Sequence, residues 1–193
     1  MGRDAVVRSG VIERLAIADV WTYTPQRFSD ARGWFYETYN DQRLAEALGG
    51  VKFVQDNQSM SRQVGTLRGM HFQKPPRAQD KLVRVVRGSV LDVAVDIRVG
   101  SPTLGKAVSA LLSADNMKQI FVPKGFAHGF LTLEPDTEVC YKVSDYYSKD
   151  DERGIAWDDP AVAIHWGMPA NAISMAERDA QWPRIADLEP YFS

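Results

Sequence analysis

The stretch that decides the fold is Leu91-Asp92-Val93-Ala94-Val95-Asp96-Ile97-Arg98, in which large apolar side chains alternate with small or charged ones. Successive side chains of a β-strand point to opposite faces, so this alternation predicts a strand with one buried face. Arg87-Gly88-Ser89 separates it from another apolar run at residues 81–86. A separation this short is typical of a β-hairpin that joins the two strands.

Further short apolar runs follow at similar intervals, at residues 107–112, 120–122, 127–133 and 138–143. Gly100-Ser101-Pro102-Thr103 and Pro123-Lys124-Gly125 supply turns between them. Closely spaced strands joined by tight turns predict an antiparallel sandwich or barrel.

Helix signals are few. Residues 41–48, closed by Gly49, read as a short helix with Leu44 and Leu48 on one face. Ser174-Met175-Ala176-Glu177 has the form of a capping box, which predicts a second helix that places Arg178 and Asp179 in its first turns and stops at Pro183.

The composition is that of one soluble domain: 193 residues, 45% hydrophobic, 25% charged, with a net charge of −2. No strong positive field is present to attract nucleic acid or an acidic membrane, so any anion must be met by local cations. Cys140 is the single cysteine, no apolar run reaches the length of a membrane span, and the start lacks the apolar middle of a signal peptide. We therefore expect a cytoplasmic protein with neither nucleic-acid nor membrane partners.

Candidate chemistry begins at Leu67-Arg68-Gly69-Met70-His71-Phe72-Gln73, followed ten residues after the histidine by Lys81. An imidazole titrates near neutral pH and takes up a proton, and a nearby lysine stabilises the oxyanion that results. A histidine satisfied by one backbone hydrogen bond is the alternative interpretation of this segment.

The other two histidines differ in their neighbours. His165 lies between Ile164 and Trp166, whose alternation pushes it to the surface. His128 follows a Pro-Lys-Gly turn among small residues, where ligand binding and core packing remain equally open. Metal-binding barrels usually present a His-x-His pair, but position 73 is glutamine, so we expect no metal.

Two more groups have the chemistry of a site. Tyr141 alternates with Val139 and Val143, so it is either a core aromatic or a phenol placed to donate a proton. Arg32 and Glu37 flank the aromatic run Trp34-Phe35-Tyr36, which suits either stacking on a nucleobase or a dimer interface. Both functions are compatible if a partner subunit completes the pocket.

An ordered series of motifs resembles the dTDP-4-dehydrorhamnose 3,5-epimerase family over roughly residues 15 to 180. The series comprises Asp30-x-Arg32-Gly33 with Glu37, Gln55-Asp56-Asn57, residues 67–73, residues 81–84, residues 92–98, Ser101-Pro102-Thr103, residues 123–130, Tyr141-Lys142 and residues 154–157. One such motif is a weak signal, but this many in order are highly specific.

The resemblance implies a mainly β, cupin-like antiparallel jelly-roll barrel with a few short helices, forming one domain over residues 1–193. Residues 1–14 fall outside the resemblance and are a candidate loose arm. A homodimer without cofactor is implied, acting on dTDP-4-dehydro-6-deoxy-D-glucose by inverting C3 and C5. His71 is implied as the base, Asp179 as the carboxylate that orients it, Tyr141 as the acid and Lys81 as the stabiliser of the enolate. The implied substrate contacts are Arg32, Glu37, Gln55, Asp56, Asn57, Arg68, His128, Glu152 and Arg178, the last standing where the family commonly has lysine.

The alternatives are an epimerase that inverts only C3, a metal-dependent cupin oxygenase, and a binding module for sugar nucleotides without catalysis. Strict alternation would also place Arg68 and His71 on opposite faces of one strand. Both reach a shared pocket only if Gly69 lies in a bulge or sharp twist, and we predict that irregularity.

Overall fold

Fourteen strands and one α-helix form over residues 5–7 and 10–192, the part of the chain that the computed structural model describes. The strands are β1 (Ala5–Val7), β2 (Gly10–Arg14), β3 (Trp21–Pro25), β4 (Phe28–Asp30), β5 (Gly33–Phe35), β6 (Gln55–Ser61), β7 (Leu67–Gln73), β8 (Lys81–Arg87), β9 (Ser89–Asp96), β10 (Ala107–Ser113), β11 (Gln119–Val122), β12 (Phe126–Thr132), β13 (Thr137–Val143) and β14 (Glu152–Gly154). The helix α1 is Asp41–Leu48, and short 3-10 turns lie at Lys149–Asp151, Ala170–Ala172, Asp179–Gln181 and Ile185–Asp187.

The strands build two main antiparallel sheets. One has seven strands in the order β1-β2-β3-β11-β8-β13-β6, and the other has five in the order β10-β9-β12-β7-β14. Their inner faces share one apolar core, in which Val83 and Val139 of the larger sheet meet Ala94 and Phe130 of the smaller. Two facing antiparallel sheets of this kind form a jelly roll, which confirms the mainly β fold expected from the sequence.

Both sheets are also covered on the outside. Helix α1 packs Leu44 and Leu48 with Trp21 and Phe121 of the larger sheet, and burying each leucine is worth about 2 kcal/mol. The segment after β14 covers the smaller sheet, with Trp166 among its buried residues. Its central strands β9 and β12, covered on both faces, are among the most deeply buried of those described.

The predicted helix at residues 41–48 is confirmed. The side chain of Asn40 accepts hydrogen bonds from the N–H groups of Gln42 and Arg43, and Gly49 ends the helix at φ 58°. The second predicted helix is wrong, because only the short 3-10 turn Asp179–Gln181 forms within it. Ser174 is instead extended, donating its N–H to the Gly65 carbonyl and accepting from Leu67 N–H, so its backbone pairs with another segment rather than with a helical turn.

The predicted hairpin around Gly88 is also wrong. β8 pairs with β11 and β13 in the larger sheet, whereas β9 pairs with β10 and β12 in the smaller one. Gly88, at φ 74°, lets the chain cross between the sheets.

β9 is buried on both faces rather than one. Asp92 and Asp96, expected on a solvated face, are 0% exposed. Their charges are met inside the protein, Asp92 by His128 and Asp96 by Arg98, Ser101 and Thr103. Paired carboxylates of this kind look like surface residues in a sequence although they lie in the interior.

The irregularity predicted at Gly69 is confirmed. Arg68 pairs with Phe130 and His71 with His128, so three steps along β7 match two along β12. Gly69 has φ 147°, and a Cβ there would lie 2.5 Å from the Cα of Gly129. This bulge turns Arg68 and His71 toward the same side of the sheet.

The N-terminal region is ordered where it is described. Gly10–Arg14 pairs with β3 and extends the larger sheet, so this part of the candidate loose arm is a strand. Residues 1–4, 8 and 9 lie outside the described residues. Among those that are described, no helix has the length and apolarity needed to cross a membrane.

Candidate active site

A cavity of about 620 Å³ opens between the two sheets and the segment of residues 174–179. Eight of the predicted site side chains line it: Arg68, His71, Lys81, His128, Tyr141, Glu152, Arg178 and Asp179. They come from five strands and from the segment near the C-terminus. The fold therefore gathers, around one cavity, residues that are up to 111 positions apart in the sequence.

His71 is held in place by two neighbours. Its Nε2 lies 2.8 Å from Oδ1 of Asp179, which is buried, and its ring meets the indole of Trp182 edge-on with centroids 6.0 Å apart. The other oxygen of Asp179 accepts a long hydrogen bond, 3.5 Å, from the N–H of Gly69. The bulge in β7 thus positions both the histidine and the carboxylate that orients it.

Asp179 is set up to remain ionised. Burial alone would raise its pKa, but the hydrogen bond and charge of His71, the Gly69 N–H and the charge of Arg178 together lower the pKa below its usual value. An ionised carboxylate only accepts hydrogen bonds, so the proton of a neutral His71 lies on Nε2. This arrangement leaves Nδ1 as the basic nitrogen.

Lys81 is a half-buried cation at the first position of β8, with its Nζ 3.5 Å from the carbonyl oxygen of His71. Desolvation lowers the pKa of Lys81 to about 8, although the carboxylates of Asp92 and Glu152 act in the opposite direction. With a pKa of about 8 the side chain is still mainly protonated at neutral pH. An ammonium group inside the cavity is suited to stabilising an oxyanion there.

Tyr141 lines the cavity from the wall opposite His71. It lies on β13 of the seven-stranded sheet, while His71 lies on β7 of the five-stranded sheet. Burial raises the pKa of Tyr141, an effect that the charge of Arg68 opposes. The hydroxyl therefore keeps its proton at neutral pH, so it is available as a proton donor.

His128 forms a second histidine–carboxylate pair. Its Nε2 lies 2.9 and 3.0 Å from the two oxygens of Asp92, and both residues are buried. Asp92 was not predicted as a site residue. The available signal was a charged residue inside an otherwise apolar strand pattern, where an aspartate needs a partner if it is buried.

Polar side chains at the cavity mouth form a third group. Glu152 Oε2 accepts hydrogen bonds from Arg178, at 2.7 Å, and from the hydroxyl of Tyr147, at 3.0 Å. Tyr147 was also missed by sequence reasoning. An adjoining cavity of about 300 Å³, lined by Tyr147, shares His71, Lys81, Tyr141 and Glu152 with the main one.

The three predicted substrate contacts on β6 point to two different faces of the strand. Gln55 and Asn57 line the adjoining cavity, and the Gln55 amide donates to Asn57 at 2.9 Å. Asp56 points to the outer face, where its side chain is 71% exposed and pairs with Lys142 at 2.9 Å. The structure therefore brings Gln55 and Asn57 to the site but not Asp56.

Arg32 and Glu37 lie away from the cavity within this chain. Arg32 is at the exposed turn of the β4–β5 hairpin and pairs with Asp30, whereas Glu37 pairs with Arg43 at 3.2 Å. The same hairpin exposes three large aromatic side chains, Phe28, Trp34 and Phe35, each more than half exposed.

The remaining predictions concern histidine and metals. His165 is exposed, as its alternation predicted. Among the side chains of residues 10–192, no group of three or more His, Cys, Asp or Glu residues is arranged to hold a metal ion.

Comparison with known proteins relates this architecture to one family. The model of the family described as dTDP-4-dehydrorhamnose 3,5-epimerase matches residues 14–187. The enzyme of that name from Sinorhizobium fredii is 48% identical over 180 residues, covering 93% of this chain and 92% of the relative.

Solved structures agree. The epimerase from Legionella pneumophila, crystallised with dTDP-4-keto-L-rhamnose, has a TM-score of 0.88 at 41% identity and covers 92% of this chain and 94% of its own. A 3'-monoepimerase from Streptomyces bikiniensis, in complex with dTDP-quinovose, has a TM-score of 0.82 at 31% identity, covering 90% and 87%. With a family model over most of its length and curated relatives at nearly half identity, the chain belongs to the dTDP-4-dehydrorhamnose 3,5-epimerase family.

Proposed function

We propose that this protein is an epimerase that inverts C3 and C5 of dTDP-4-dehydro-6-deoxy-D-glucose to give dTDP-4-dehydro-L-rhamnose. The observation that supports it best is the placement of His71 and Tyr141 on opposing walls of one cavity. A base on one face of a carbon and an acid on the other invert that carbon. The membership of the family and its curated relatives support the same substrate.

His71 begins the reaction by taking a proton from C3. The ketone at C4 makes the hydrogens on both neighbouring carbons acidic, because the electron pair left behind moves onto the C4 oxygen as an enolate. Asp179 keeps His71 in the tautomer whose Nδ1 accepts the proton, and it stabilises the imidazolium that forms.

Lys81 and Tyr141 complete each inversion. The Lys81 ammonium stabilises the enolate oxygen, and the Tyr141 hydroxyl delivers a proton to the opposite face of the carbon. The electron pair returns from the enolate to form the new C–H bond, so the ketone is restored. Once both groups have exchanged protons with solvent, the same steps at C5 give the second inversion.

The diphosphate is met by local cations. Arg68 and Arg178 line the cavity together with His128, whose ring is held through Nε2 by the buried Asp92. Because the protein as a whole carries a net charge of −2, attraction of the nucleotide depends on this cluster.

Proton NMR in D2O tests the function directly. Incubation of dTDP-4-dehydro-6-deoxy-D-glucose with the protein is expected to replace hydrogen by deuterium at both C3 and C5, and His71→Ala is expected to abolish both exchanges. Exchange at C3 alone would identify the single-centre activity of the 3'-monoepimerase type. Absence of exchange at either carbon would refute epimerisation of this substrate.

We also propose a homodimer in which each subunit completes the other's site. Neither Arg32, at the exposed hairpin turn, nor Glu37, just after the hairpin, lines the cavity of its own chain. The three exposed aromatics of the hairpin are typical of an interface. In this arrangement the hairpin of one subunit would bring Arg32 and Glu37 to the nucleotide end of the partner's cavity.

Complementation tests this arrangement. His71→Ala inactivates its own cavity and Arg32→Ala impairs the partner's, so neither variant forms a complete site alone. Co-expression is expected to restore roughly a quarter of the sites by random pairing of subunits. Failure to recover any activity in purified heterodimers would show that Arg32 does not act across the interface.

We also propose a cytoplasmic location, which cell fractionation tests.

A further inference from the structure

Gln73 is a buried side chain that the proposed chemistry does not use. It lies on β7 two residues after His71, so both point to the same face of the strand, and it is 4% exposed. It lines the adjoining cavity beside Tyr147 and Glu152. A buried amide needs partners on both its oxygen and its nitrogen, and the identity of those partners indicates its role.

Both ends of the Gln73 amide bind the backbone of loops at the cavity mouth. Its Nε2 donates to the carbonyl of Arg77 at 2.6 Å and to the carbonyl of Tyr146 at 3.1 Å. Its Oε1 accepts from the N–H of Ser148 at 2.7 Å. The Gln73 amide is thus hydrogen-bonded to the backbone on both sides of Tyr147. This arrangement needs two N–H donors and one acceptor in the same group, and an amide side chain has them.

Tyr147 depends on these bonds for its position. Its side chain is 54% exposed, so core packing does not fix it. Its N–H donates to Gln55 Oε1 at 3.1 Å, and its hydroxyl donates to Glu152, which also accepts from Arg178. The chain of contacts therefore runs from Gln73 through the loop to the polar group at the mouth of the site.

We propose that Gln73 is a positioning residue that holds residues 146–148 as a fixed wall of the substrate site. The inference rests on the proposed function for its consequence in catalysis. Because the Tyr147 hydroxyl bonds to Glu152, a predicted substrate contact, and not to His71, Lys81 or Tyr141, the position of the loop governs substrate binding and leaves proton transfer by His71 intact. Loss of the wall raises KM and not kcat.

Two substitutions at Gln73 separate the effect of its two hydrogen-bond donors from that of its acceptor. Gln73→Glu keeps the shape and the acceptor but replaces the two N–H donors with an oxygen facing the carbonyls of Arg77 and Tyr146. Gln73→Met keeps the volume and removes all three hydrogen bonds. In both variants we expect hydrogen–deuterium exchange of the peptide containing Tyr147 and Ser148 to rise about tenfold.

Binding and kinetics give the second readout. We expect both variants to bind dTDP about tenfold more weakly and to show a similar rise in KM for the keto sugar, with kcat within about twofold. Asp159→Asn is the matched control. The buried carboxylate of Asp159 also accepts hydrogen bonds from two backbone N–H groups, those of Ala161 and Ile185, but it lies outside both cavities. It is expected to lower thermal stability without changing exchange at residues 147–148 or affinity for dTDP.

Three results would overturn the proposal: unchanged exchange at the loop, a fall in kcat with KM unchanged, or equal loss of dTDP affinity in the Asp159 control. Failure of the proposed function is distinguishable from these results. If the wild-type protein does not act on the keto sugar, hydrogen–deuterium exchange at residues 147–148 and affinity for dTDP still test whether Gln73 positions the loop.

Discussion

His71 and His128 are directly paired across the neighbouring strands β7 and β12, and each is bonded to a different buried aspartate. Asp179 holds His71 and Asp92 holds His128, at 2.8 and 2.9 Å. The bulge at Gly69 directs the first pair toward the main cavity. In the proposed reaction the two similar pairs on one sheet have different tasks, proton transfer for His71 and anion binding for His128.

Asp179→Asn is expected to slow the reaction by a factor on the order of 10³, with little change in KM. The amide keeps the shape of the side chain but neither fixes the tautomer of His71 nor stabilises its charged form. The rate of deuterium entry at C3 measures this effect. A loss of less than about threefold would mean that Asp179 does not orient the base.

Asp92→Asn is expected to affect binding more than chemistry. An amide cannot contact Nε2 of His128 with two carboxylate oxygens, so the ring is held less firmly. Affinity for dTDP should therefore fall roughly tenfold while kcat changes by less than about threefold. Titration calorimetry with dTDP measures the first value and steady-state kinetics the second. A fall in kcat with unchanged affinity would place His128 in proton transfer instead.

Gly69→Ala is expected to destabilise the fold by about 3 kcal/mol, because the added Cβ meets the backbone of Gly129 at a φ that alanine rarely adopts. Gly100→Ala is the matched control. Gly100 also has a positive φ, 81°, but no atom lies within 4 Å of its added Cβ, so about 1 kcal/mol is expected there. Thermal or urea denaturation distinguishes the two, and equal losses would show that the close approach of the strands does not matter.

Most strands, helix α1 and most residues that line the cavity could be predicted from the sequence, and the failures have physical causes. Strand periods and the caps of α1 depend on neighbours in the chain, so they can be predicted from short patterns. Sheet membership depends on distant partners, which is why the crossing at Gly88 looked like a hairpin. Asp92 was expected on a solvated face because the alternation pattern shows only that a side chain is polar. The pattern cannot distinguish an exposed carboxylate from a buried one that is paired with His128.

Tyr141→Phe is expected to separate proton exchange from inversion. The ring remains packed against the core, but the cavity wall opposite His71 loses its proton donor. His71 should then return protons to the face from which it took them, so deuterium still enters at C3 while formation of inverted product falls by a factor on the order of 10² to 10³. NMR measures both rates in one sample. If exchange and product fall together, Tyr141 is needed for proton abstraction itself.

The pH dependence of kcat/KM is expected to show a loss of activity as the pH rises through about 8, the value to which burial lowers the pKa of Lys81. The protonated lysine stabilises the enolate, so activity is present below that pKa and is lost above it. Tyr141 does not account for this limb, since burial raises its pKa above the ordinary value. Lys81→Arg keeps the charge throughout this range and is expected to remove the limb while lowering the rate about tenfold through altered geometry. A limb that stays near pH 8 in that variant would assign it to another group and refute the role of Lys81 as the titrating cation.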